Sequence, residues 1–88
     1  MQVTVHVNEM EPGQWLRLSW DPRAFIRVVA GEEVVISCNR PGLLTLARHL
    51  LTLAQDGLAP GTHVHLDETN GLEPGSSDTI LEFVDDDQ

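Results

Sequence analysis

Residues 39 to 57 read NRPGLLTLARHLLTLAQDG, and no other stretch restricts the fold as much. Leu43, Leu46, Ala47, Leu50, Leu53 and Ala54 recur at helical spacing, with Leu44 and Leu51 widening the stripe. Thr45, Arg48, His49, Thr52 and Asp56 fall on the opposite, polar side. Asn39 suits an N-cap, and Pro41 sits in the first turn, where a missing N–H costs nothing. Gly57 offers a left-handed stop. The spacing predicts one amphipathic helix, which holds its shape only by burying the leucine stripe against another element.

The rest of the chain offers strands for that role. QVTVHV (2 to 7) alternates Val3, Val5 and Val7 with Gln2, Thr4 and His6. QWLRLSW (14 to 20) alternates again, placing Leu16, Leu18 and Trp20 on one face before Asp21-Pro22 breaks it. AFIRVVA (24 to 30) and EVVISC (33 to 38) read as a hairpin closed by Gly31-Glu32. After the helix come THVHLD (62 to 67), the polar loop ETNGLEPGSSD (68 to 78), and TILEFV (79 to 84). The expected fold is therefore α+β in the order ββββαββ: a mixed or antiparallel sheet of five to six strands with the helix packed on one face. The second face is then open to solvent, or covered by another copy of the chain in a homodimer.

Eighty-eight residues allow one such domain, read as 1 to 84, followed by the acidic tail 85 to 88. Cys38 has no internal partner, which fits a reducing, cytoplasmic setting. The N-terminus has no basic segment leading into an apolar run, and no stretch is long and apolar enough for a membrane helix, so neither export nor a membrane is expected.

The charge is lopsided. Residues 1 to 55 hold five acids and all five arginines, whereas residues 56 to 88 hold nine acids and no Lys or Arg. The whole formal charge of −9 therefore lies in the last third. Such a field repels a phosphate backbone, so nucleic acid is not an expected ligand. It attracts a basic protein surface and speeds encounter with it.

Within THVHLD, His63, His65 and Asp67 share one strand face and Val64 and Leu66 the other. The apolar pair is expected inward, beneath the helix, and the polar trio outward. The trio admits several readings. Two histidines and a carboxylate could supply three ligands to zinc. A His-X-His-X string also resembles the histidine-triad hydrolases, although Asp67 stands where a third histidine would and no glycine loop for phosphate follows a strand. The plainest reading is a solvated strand face. Elsewhere, Ser76 and Ser77 lack a nucleophile elbow, and Glu32-Glu33 sits at a solvated turn. No catalytic constellation emerges, and neither cofactor nor metal is expected.

Several segments in order carry a resemblance. They are Asn39 to Gly42-Leu43-Leu44 at the helix start, Gly61-Thr62-His63-Val64-His65-Leu66-Asp67, Gly71-Leu72-Glu73-Pro74-Gly75-Ser76, and Thr79-Ile80-Leu81-Glu82. Over residues 34 to 84 the chain resembles the immunity protein 32 family, antitoxins of bacterial polymorphic toxin systems. Val64 stands where that family's strand carries isoleucine, and the acidic tail lies outside its motifs. The resemblance implies a non-enzymatic cytoplasmic protein that docks on a cognate toxin domain, with basic nucleases the natural match for an acidic surface. The surface expected to meet that partner comprises His63, His65, Asp67, Glu68, Asn70 and Glu73, with local fixing of the loop by Asp67 and Asn70 as the structural alternative. Two other roles stay open: a small metal- or ligand-binding protein using the histidine strand, and an orphan regulatory module.

Overall fold

The computed structural model describes residues 2–9 and 18–85. These form β1 (Ile26–Ala30), β2 (Val34–Cys38), α1 (Arg40–Leu53), β3 (His63–Leu66) and β4 (Thr79–Glu82). Among the described residues the fold is α+β with one helix, as expected, but the single sheet of five to six strands is not formed. Among the described residues, β1 pairs antiparallel with β2, and β3 pairs antiparallel with β4, in two separate two-stranded sheets. Residues 2 to 9 and 18 to 20 are outside any strand. The remainder of the expected second strand, 14 to 17, and residues 86 to 88 of the acidic tail lie outside the described residues.

The two sheets are joined through the loop after β3 instead of by a shared ladder. Glu73 donates its N–H to the Ile26 carbonyl at 2.8 Å, and Ser77 donates to the Val28 carbonyl at 2.7 Å. In return, the Val28 and Ala30 N–H groups donate to the hydroxyls of Ser76 and Ser77, each at 3.2 Å. The serines thus occupy the outer edge of β1, where a third strand would have completed the sheet.

The helix begins as the sequence indicates. The Asn39 side chain accepts from the Gly42 N–H at 2.8 Å, and Pro41 stands in the first turn. The helix ends earlier than expected, at Leu53, with Ala54 donating to the carbonyls of Leu50 and Leu51, and Gly57 follows in the turn beyond.

The face it buries is turned from the expected one, although Leu46 and Leu53 of the stripe still meet the core. Gly42, Thr45, His49, Thr52 and Leu53 point inward. Leu43 and Leu50 are 55% and 51% exposed, and Leu51 and Ala54 are exposed as well. The cause lies at the first turn. Asn39 Oδ1 also accepts from the Phe25 N–H at 2.9 Å, and its Nδ2 donates to the Arg23 carbonyl at 2.9 Å, which ties the cap to the segment entering β1. Gly42 packs so tightly against the Phe25 carbonyl that a Cβ would approach its oxygen to 2.1 Å. Once Gly42 is inward, the residues three, seven, ten and eleven positions on are inward too.

The core is made by Ile26, Val28, Leu53, Leu58, Val64, Leu66 and Leu72, with Leu18, Cys38, Leu46, Leu81 and Phe83 packed around it. Most of it is strand and loop, and only Leu53 and Leu46 come from the helix. Val3 shares a cavity with Arg40, Leu43 and Leu44, while Asn8 accepts a hydrogen bond from Gln55. The N-terminal segment therefore runs beside α1 from its first turn to just past its last, a span of roughly 17 Å for an extended chain of this length.

Candidate functional site

β3 places its side chains as alternation requires. Val64 and Leu66 are buried in the core, while His63 and His65 face outward with their rings 5.0 Å apart, edge to face. Cross-strand pairing sets Glu82 opposite His63 and Ile80 opposite His65, so this open face mixes imidazole, carboxylate and aliphatic groups. His63 Nδ1 lies 2.8 Å from the Gly61 carbonyl.

Asp67, Glu68 and Asn70 are committed to the loop. One Asp67 carboxylate oxygen accepts from the Thr69 N–H at 2.9 Å and from the Thr69 hydroxyl at 2.7 Å. These bonds, the hydroxyl's foremost, hold the Asp67 carboxyl below the usual carboxylate range. The Asp67 carbonyl accepts from the amides of Asn70 and Leu72, and Asn70 Nδ2 donates to the His65 carbonyl. Glu68 Oε1 accepts from the Gly75 N–H at 2.8 Å. The loop is thus braced at both ends and across its middle, which is what the structural alternative for Asp67 and Asn70 requires.

The trio expected on the strand face therefore divides. The imidazoles of His63 and His65 take no part in the loop's hydrogen bonds, whereas the Asp67 carboxylate turns to Thr69. Among the described residues no group of three or more His, Cys, Asp or Glu side chains is arranged to hold a metal ion.

The braced loop presents acids along two adjoining depressions. One, of about 360 Å³, is lined by Trp20, Asp21, Ala24, Glu68, Thr69, Asn70, Gly71, Leu72 and Glu73. The other, of about 380 Å³, is lined by Asp67, Glu68, Thr69, Ser76 and Asp78. Glu68 belongs to both. Asp21 is already engaged by Arg23, at 3.0 Å between the guanidinium and carboxylate, and that contact keeps the Asp21 carboxyl low.

Trp20 is the residue of this surface that the sequence pattern misplaced. It does not stand on a strand, nor does Leu18 before it. Its ring lies over Gly71 on one side and packs edge to face against His49 at 4.3 Å on the other. Gly71 has a φ of +92° and no side chain, and both are needed, because a Cβ would fall 2.1 Å from the indole. The Asp21-Pro22 break was the only local sign that position 20 closes an element.

Beneath the indole, His49 is fully buried and neither ring nitrogen has a hydrogen-bond partner. Burial, with a smaller contribution from Arg48, pushes its proton affinity below the ordinary imidazole value. Thr52 beside it is satisfied through the Arg48 carbonyl at 2.7 Å.

The structure is thus a small α+β domain that carries a hydrogen-bonded acidic loop beside an open strand face. No helix among the described residues is long and apolar enough to cross a membrane. The model of the immunity protein 32 family matches residues 33–84, from the turn before β2 to just past β4, and the chain belongs to that family. Neither a curated protein nor a solved structure matches it. Membership in an immunity family assigns the chain to toxin neutralisation as a class of role.

Proposed function

We propose that the chain neutralises a cognate toxin domain by docking on it, with no chemistry of its own. The docking surface in this reading is the acidic loop from Asp67 to Asp78 together with the outward face of β3 and β4. Family membership supplies the class of role. The observation that carries the surface is the braced loop, which holds Glu68, Glu73 and Asp78 along two depressions beside Trp20. The Glu68 carboxylate, already held by the Gly75 N–H, loses little freedom on binding, and an aromatic wall beside these acids suits an arginine or lysine side chain.

A partner matched to this surface carries basic groups around its active cleft. A nuclease domain fits that description, since its own substrate demands positive charge. His63 and His65 contribute aromatic faces at one flank, and Asn70 and Asp67 act by shaping the loop. The two proteins meet in the cytoplasm of the producing cell.

The test takes a basic nuclease domain, selected by its binding to the native chain, and titrates it with purified native and variant chains. The Glu73→Lys/Asp78→Lys double variant should slow association at least ~10-fold at low salt, and the deficit should shrink as salt rises. Arg27→Glu, on the other sheet, should leave the rate alone. Equal affinity of the native and double-lysine chains for the toxin would remove the loop from the docking surface.

A further inference from the structure

The hairpin β1–β2 has one guarded edge and one open edge. The backbone groups of Ile26, Val28 and Ala30 point away from β2, and the Ile26 carbonyl, both groups of Val28 and the Ala30 N–H are taken up by the loop from Glu73 to Ser77. In the observed register those residues stand opposite Cys38, Ile36 and Val34. Antiparallel geometry then directs the N–H and C=O groups of Val34, Ile36 and Cys38 to the far side of β2. Among the described residues, nothing donates to or accepts from Val34 or Ile36 along that edge.

The side chains there are also uncovered. Val34 and Ile36 share a face with buried Ile26 and Val28, yet are 65% and 49% exposed. The core face of the hairpin thus continues past the point where the core ends. Val-Val-Ile-Ser-Cys contains no charge, proline or bulge, the usual devices that keep an edge from pairing.

We propose that this edge pairs with its own copy, β2 against β2 across a two-fold axis, forming a four-stranded antiparallel sheet from two chains. The register follows from the outward-pointing residues. Only pairing of Ile36 with Ile36, and of Val34 with Cys38 of the second copy, matches outward groups over the entire strand. That register also sets the charges. Glu32 and Glu33 at one end of β2 come beside Arg40 of the second copy at the other end, and the same contact repeats by symmetry. The first 55 residues, which carry both strands of the hairpin, are formally neutral, so the excess acid is not carried by the pairing strand itself. The acidic loop remains a separate surface, and the pairing does not depend on the identity of any toxin.

The experiment is sedimentation velocity on the full chain across a concentration series, repeated with Ile36→Pro and Ile36→Lys. The Ile36 N–H points away from β1, so proline there blocks the edge without removing a bond of the hairpin. A native monomer–dimer equilibrium, with a dissociation constant raised at least ~10-fold in both variants, is the expected result. A native chain that stays monomeric up to ~200 µM overturns the proposal, even if the edge is then met by a strand of another protein. A dimer equally strong in both variants overturns it too, because the contact then lies elsewhere, as on the exposed leucines of α1. The register is read independently in an Ile36→Cys/Cys38→Ser chain, whose two thiol-bearing residues would sit ~5.5 Å apart between Cα atoms. Oxidation should link that chain into a covalent dimer and leave the native chain, with Cys38 opposite Val34, unlinked. Failure of the variant to link overturns the two-fold register.

Discussion

Gly42 lies so close to Phe25 that any side chain at that position would collide with the Phe25 carbonyl, the would-be Cβ standing 2.1 Å from the oxygen. That one approach fixes the rotation of α1 about its own axis. It puts Thr45, His49 and Thr52 inside and leaves Leu43, Leu50 and Leu51 in the open.

Substituting Gly42→Ala should therefore destabilise the protein, although alanine is the better helix former by about 1 kcal/mol. The obstacle is backbone, which cannot swing aside as a side chain does. A net loss of about 1 to 3 kcal/mol is expected in urea denaturation.

The rotation of the buried face makes the helix leucines unequal. Leu53→Ala should cost about 2 to 5 kcal/mol, because Leu53 is in the core. Leu50→Gln and Leu51→Gln should each cost at most about 1 kcal/mol, since both side chains are exposed. Equal losses at all three positions, measured by the same denaturation, would contradict the observed rotation.

His49 predicts an acid-sensitive fold. Its proton affinity is lowered in the folded state, first by burial and then by Arg48, so the unfolded chain binds the proton more readily. Stability is complete above the unfolded value of about 6.5 and declines as pH falls below it. Urea midpoints taken from pH 7 down to pH 5 should drop for the native chain and stay level for His49→Phe. Asp21 and Asp67, whose carboxyl values are lowered, contribute only in more acid solution, where loss of their bonds to Arg23 and Thr69 destabilises further.

Gly71→Ala faces two obstacles at once, a φ of +92° and the indole of Trp20. It should cost about 1 to 3 kcal/mol and lift Trp20 off the loop. In a Trp15→Phe background, which leaves Trp20 as the single indole, emission should shift to the red. If the loop is the toxin-binding surface, the same variant should also weaken that binding.

The sequence by itself determined what depends on near neighbours. The helix start at Asn39 and Pro41 follows from local hydrogen bonding and from proline's fixed geometry, β1 and β2 follow from two apolar runs either side of Gly31-Glu32, and β3 and β4 follow from short alternating runs. The inward Val64 and Leu66 and the outward His63 and His65 follow from the two-residue period of a strand, and the gathering of acid in the last third is simply a count. The family was legible in motifs between residues 34 and 84 for the same reason, since they lie close together along the chain. What tertiary structure alone decided are contacts between distant segments. Periodicity places the leucines of α1 on one stripe but is silent on which stripe turns inward, and Gly42 against Phe25 settles that from seventeen residues away. Alternation marks strands but not their partners, and two serines distant in sequence from β1 occupy the edge where one sheet would have continued. Trp20 reaches its place for a like reason: the space above Gly71 exists only after the loop has folded, so no pattern around position 20 encodes it.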